Sequence, residues 1–274
     1  MVLLATVVTA AIALGAGCAA RMTDREGMEA SPPPQDLFGG DPINLIRRSL
    51  DAYGEADLVD RVESLRLQNR ITMYGGEVKE DRSVEYYRFP NQSRIDVISD
   101  TEVFTFLYDG VDGWQIAKGL RSRSPDMITE GLRRGIKHIP ILLLRSALDD
   151  RSILGPVLPD SLDGRVALRV DLTDREGDQS RLWFDTETLL IARLDYTFIG
   201  SRGGIPVRVM MGEYRAFDGV QTATLVQFYQ HEALSQETQV DEATYNPTLP
   251  DSIFAPRAFE EPEEPREPAF PPGE

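Results

Sequence analysis

The sequence predicts a mainly β fold of the α+β class: a large curved antiparallel sheet with a few helices against one face. Three observations predict it. Apolar and polar residues alternate through most of residues 65–241, which is the period of a half-buried strand. Asp-Gly, Gly-Gly and Pro-Asn pairs separate these runs, as hairpin turns require. Helical spacing is confined to one segment before the strands and one insert among them. A sheet of this many antiparallel strands tends to curl, and the helices must bury their apolar stripes against it.

The ends differ from this body. Residues 1–17, MVLLATVVTAAIALGAG, carry no charged side chain and lead to Cys18, the only cysteine. They read as a signal peptide, removed on export. No Lys or Arg follows Met1, so either the true start lies upstream or the amino terminus supplies the positive charge. Ala16 and Gly17 before Cys18 resemble a bacterial lipobox, with Gly15 where Leu is usual. That resemblance implies lipidation of Cys18. An ordinary secretory signal with a chance cysteine is the alternative. Residues 18–40 contain a Pro triplet and few core formers, so they read as a flexible tether. The folded body is expected over 41–257, and residues 258–274, rich in acid and proline, as a disordered tail.

Within the body, DPINLIRRSLDAYG is a helix with Asp41 as N-cap, Pro42 in the first turn and Gly54 as stop. Ile43, Ile46, Leu50 and Tyr53 make its apolar stripe. From Leu65 to Met73 the period becomes two, and Gly75-Gly76 turns the chain into a second strand through Tyr86 and Tyr87. A meander follows over Gln92 to Val97, Glu102 to Tyr108 and Trp114 to Ala117. PDMITEGLRRGIKHIPILLLRSALDD then reads as two helices divided at Pro140. Strands resume at Val166 to Leu172, Arg181 to Phe184, Leu190 to Phe198, Pro206 to Tyr214, Ala223 to Gln230 and Glu237 to Asp241.

A net charge of −16 and a pI near 4.6 argue against nucleic acid as a partner, because phosphate recognition needs a basic face. A lone cysteine cannot form an internal disulfide. Asp109-Gly110-Val111-Asp112-Gly113 lacks the ligand count and spacing of a calcium loop and reads as a turn, with Trp114 returning to the sheet. Asp171, Asp174 and Asp178 read as a hairpin tip, with loose calcium binding as the alternative. His138 and His231 fit no zinc pattern, and Asn91-Gln92-Ser93 reads as a polar turn despite matching a glycosylation sequon. No nucleophile elbow, phosphate loop or dinucleotide fingerprint occurs, so neither enzymatic activity nor a cofactor or metal is expected.

The segment IPILLLRSAL, residues 139–148, is the most informative. It reads either as a buried core helix or as a lid that closes an apolar cavity at the mouth of the curled sheet. Ile141, Leu142, Leu143 and Leu144 are the candidate lid residues, with Phe104, Phe106 and Trp114 as candidate cavity residues.

Several stretches together resemble the LolA/LolB-type periplasmic lipoprotein carriers and outer-membrane lipoprotein-sorting proteins. They are LIRRSLDAYGEADLVDRVESLRL, YDGVDGWQI, RLWFDTETLLIARLDY and YNPTLPDSIFAP, in that order, and together they cover roughly Asp41 to Pro256. The resemblance implies an incomplete antiparallel β-barrel closed by helices. It further implies a non-enzymatic monomer that binds the acyl chains of lipid or lipoprotein in an apolar cavity. Combined with Cys18, it implies a lipid-anchored carrier or receptor on the periplasmic side of the envelope, the outer membrane favoured over the inner. An envelope sensor or protein-interaction lipoprotein on the same scaffold is the alternative.

Overall fold

The computed structural model describes residues 40–200 and 203–256. The expected signal peptide, Cys18 and the tether up to residue 39 lie outside them, as does the acidic tail.

Helix α1 (Pro42–Ala52) starts where expected: Asp41 Oδ1 accepts from the Ile43 amide at 3.0 Å, with Pro42 in the first turn. Its buried face is Leu45, Ile46, Ser49 and Tyr53, while Ile43 is 45% exposed. A strict three-four spacing from Tyr53 misjudged the stripe by a residue or two at its start, where the first turn leans outward. Gly54, at φ 157°, follows. A Cβ there would lie 2.8 Å from the Gly219 carbonyl, so glycine lets the end of α1 dock on a distant hairpin. The Gln221 amide donates to the Tyr53 carbonyl at 2.8 Å across this junction. A short α2 (Ala56–Asp60) comes next.

Among the described residues, fourteen strands form one open antiparallel sheet. Strands β1 (Ser64–Met73), β2 (Lys79–Arg88), β3 (Gln92–Ile98), β4 (Val103–Tyr108), β5 (Gly113–Ala117) and β6 (Leu120–Arg123) make one meander. Strands β7 (Ile153–Leu154), β8 (Leu158–Leu162), β9 (Arg165–Thr173), β10 (Gln179–Asp185), β11 (Ile191–Gly200), β12 (Gly203–Phe217), β13 (Val220–Gln230) and β14 (Ala233–Tyr245) make the other. The halves join where β14 pairs with β1, Leu65 opposite Tyr245. β6 ends one edge, and the other carries β7 and β8, both paired with β9. The short β6, β7 and β8 went unpredicted because LRSR and IL carry no alternation to read.

The insert between β6 and β7 is α3 (Asp126–Lys137) and α4 (Pro140–Ala147), divided at Pro140 as expected. It runs from one edge of the sheet to the other. α3 buries Ile128, Leu132 and Ile136 against Ile95, Val97, Phe106 and Tyr108 of β3 and β4. α4 buries Ile141, Leu143, Leu144 and Ala147 in the main core with α1 and β9 to β13. Among the described residues, no helix is long and apolar enough to cross a membrane.

Candidate functional site

Between the curled sheet and the α3–α4 junction lies a cavity of about 250 Å³. Leu65 and Leu67 of β1, Ile95 of β3, Leu194 and Phe198 of β11, Val226 and Phe228 of β13 and Val240 of β14 supply much of its apolar wall. Strand alternation puts them there, because every second side chain of a curled sheet points to its inner face. The helices supply Leu132, Ile139, Pro140 and Ile141.

Of the candidate lid and cavity residues, the structure brings Ile141 to this wall. Leu143 and Leu144 point into the main core, and Leu142 packs beside α3. Phe104 and Phe106 lie in the smaller cluster beneath α3. Trp114 lies apart from the cavity: its indole donates to Asp109 Oδ2 at 2.9 Å, with the Arg121 guanidinium 5.0 Å from its ring. The Asp109 carboxylate closes its own turn. Asp109 Oδ1 accepts from the amides of Val111 and Asp112 at 2.9 and 2.8 Å.

The cavity is not uniformly apolar. On the inner faces of β1, β2 and β3, Asn69, Glu85, Tyr87 and Ser93 interrupt the wall. Glu85 Oε1 accepts from Asn69 Nδ2 at 2.8 Å and Ser83 Oγ at 3.3 Å, and Oε2 accepts from the Tyr87 hydroxyl at 2.5 Å. Burial raises the Glu85 pKa, against the pull of these three donors. Asn69, 3% exposed, and Ser93, 1% exposed, leave Asn69 Oδ1 and Ser93 Oγ without a partner. This cluster was not anticipated from the sequence. Its signal was present in β1, where Asn69 occupies an inward position between Leu67 and Ile71.

On the helix side, His138 caps α3 and stacks on Tyr196, ring centroids 3.9 Å apart. Burial, then the nearby Lys137 and Arg134 charges, push its pKa down to about 3, so it is neutral at physiological pH. Arg134 also lines the cavity, but its guanidinium is held by Glu130 at 2.5 Å and Asp178 at 2.9 Å.

The acidic hairpin between β9 and β10 clamps α3. Lys137 Nζ lies 3.2 Å from Asp174, 2.5 Å from Glu176 and 3.2 Å from Asp178, and Arg133 reaches Glu176 at 2.8 Å. Asp171 instead pairs with Arg181 at 2.7 Å. Among the described residues no group of three His, Cys, Asp or Glu side chains could hold a metal ion.

No protein-family model and no curated protein matches the sequence. Solved structures do match its shape. A LolA superfamily protein from Nitrosomonas europaea superposes with a TM-score of 0.53 at 11% identity, covering 77% of this chain and 97% of the other. The fold is LolA-like. A putative outer membrane lipoprotein-sorting protein domain from Vibrio parahaemolyticus gives 0.51 at 12% identity, covering 80% and 97%. A DUF1329 family protein from Desulfovibrio piger gives 0.53 at 17%, covering 77% and 97%. The LolA-like shape thus covers 77–80% of this chain and nearly all of each neighbour.

Proposed function

We propose that the protein is a non-enzymatic carrier or receptor that binds an acyl chain of lipid or lipoprotein in this cavity, at the bacterial cell envelope. The observation that carries the reading is the apolar chamber between the inner face of the sheet and the α3–α4 junction. Transfer of methylenes from water into such a wall is worth about 0.8 kcal/mol each. The chamber is smaller than the ~300–1,000 Å³ typical of ligand sites, so a long chain enters as the helices shift outward. The LolA-like fold shared with a lipoprotein-sorting domain supports the same reading.

Cys18 completes the proposal as the site of a lipid anchor, with residues 18–40 as tether to the outer membrane and a monomeric body in the periplasm. Native mass spectrometry of the chain expressed in a bacterial periplasm tests the central point. The expected result is a co-purified acyl lipid that leaves on denaturation. A chain that carries no lipid, and binds none when acyl probes are added, would overturn it in favour of a protein-interaction role on the same scaffold.

A further inference from the structure

The acyl-binding reading does not say which head group the cavity prefers, but the buried polar cluster does. Resting on that reading, we propose that the cavity selects acyl ligands whose head group donates hydrogen bonds and bears no negative charge, the donors resting on Asn69 Oδ1, Ser93 Oγ and Glu85.

Unmade hydrogen bonds give the first reason. A buried polar atom with no partner is costly, and Asn69 Oδ1, an acceptor, and Ser93 Oγ, a hydroxyl that can accept, are two such atoms on residues of the cavity wall. Register sets them on either side of Glu85: Leu67 opposes Glu85 and Asn69 lies one inward position along β1, while Ser93 opposes Tyr87, one inward position the other way. Leucine or alanine at these positions would remove the cost, so the polar atoms fit a ligand that supplies the missing partners. Asn69 Nδ2 is already committed to Ser83 and Glu85. The free capacity of Asn69 is therefore that of an acceptor.

Glu85 sets the charge. Its partners are the neutral groups of Asn69, Ser83 and Tyr87, and no cation neutralises it among the hydrogen bonds it makes. With Glu85 ionised, a ligand carboxylate or phosphate in the same low-dielectric chamber would meet like charge. Arg134 is the cation on the cavity wall that could compensate, and Glu130 and Asp178 already engage it. A glyceryl, amide or similar head with O–H or N–H groups meets acceptors and no repulsion.

Three probes of one chain length separate these effects: 1-monomyristoylglycerol offers donors, methyl myristate offers none, and myristate is an anion. Binding is measured at pH 8, which favours the ionised form of Glu85. The monoglyceride should bind about tenfold more tightly than either of the others, the worth of one hydrogen bond to a charged group. Glu85→Gln should bring myristate to within a few-fold of the monoglyceride. Ser93→Ala, which deletes a hydroxyl that makes no hydrogen bond to the described residues, should keep the melting temperature and weaken monoglyceride binding several-fold. Equal affinities for all three probes, or a preference for myristate that Glu85→Gln leaves unchanged, would overturn the head-group assignment while leaving acyl binding in place. Failure of all three probes to bind would overturn both.

Discussion

Gly113 shows how one missing side chain positions an entire helix. A Cβ at this position would sit 2.1 Å from Thr129 Oγ1 and 3.0 Å from Thr129 Cα, so α3 can lie against β5 only because residue 113 has none. Gly113→Ala should cost about 1–3 kcal/mol by overpacking, read from urea unfolding. Adding Thr129→Ala should recover only part of it, because the close approach of the residue 129 backbone persists. An unchanged midpoint would mean that α3 does not approach β5 as described. His138 gives a second residue-scale test. Its folded pKa near 3 lies below the unfolded ~6.5, so the unfolded chain binds the extra proton between those values. Stability on this account is complete above about pH 6.5 and falls as pH drops toward 3. Wild type should lose up to about 2 kcal/mol more than His138→Phe between pH 8 and pH 5. Parallel pH profiles would place His138 in water. The Asp109 turn was legible from its two Asp-Gly pairs. Asn69 and Glu85 were not read as a site, because a polar residue in an alternating strand gains meaning only once its neighbours across the sheet are known.

Most elements were legible because their signals are local: the cap at Asp41, the break at Pro140 and the period of two in β1. What escaped depends on partners far along the chain. The segment 139–148 was readable as core or as lid, and the structure shows why both readings arose. Ile139 and Ile141 face the cavity while Leu143 and Leu144 face the main core. Leu144→Glu, at a fully buried position, should cost several kcal/mol of a typical ~5–15 and abolish folding. Leu142→Glu, half-buried beside α3, should leave a cooperative unfolding transition, because its carboxylate can reach water. If Leu144→Glu melts like wild type, α4 does not pack as described. The acidic β9–β10 hairpin read as a solvated tip, yet it grips the end of α3 through Lys137. Lys137→Met should lower stability by only about 1 kcal/mol, since the network lies at the surface and is partly exposed. If α3 must move for a chain to enter and leave, the same variant should release acyl probe several-fold faster in stopped-flow experiments. An unchanged release rate would separate the clamp from gating.

At the scale of the molecule, one large curled antiparallel sheet followed from the alternating pattern, though three short edge strands did not, and the LolA-like shape followed from the order of several moderate motifs. The pairing of β1 with β14 could not be read in advance, since strands far apart in sequence carry no mark of their adjacency. It is this pairing that brings Leu65 and Val240 to one wall and makes a chamber from two meanders. The proposed anchor has its own test: Cys18→Ala should move the protein from the detergent phase to the aqueous phase with its melting temperature unchanged, because processed lipoproteins hold by more than one chain. Equal partition of the two forms would remove the anchor and leave the cavity untouched. The central claim is that the chamber is where an acyl chain binds. Val226→Trp would fill it from the sheet side, at a half-buried position on the wall, and the decisive measurement is the dissociation constant of 1-monomyristoylglycerol for wild type and for this variant. Binding to wild type that falls at least tenfold in a Val226→Trp protein retaining cooperative unfolding is the predicted result. Equal affinity in the two folded proteins would place any bound chain elsewhere and contradict the account.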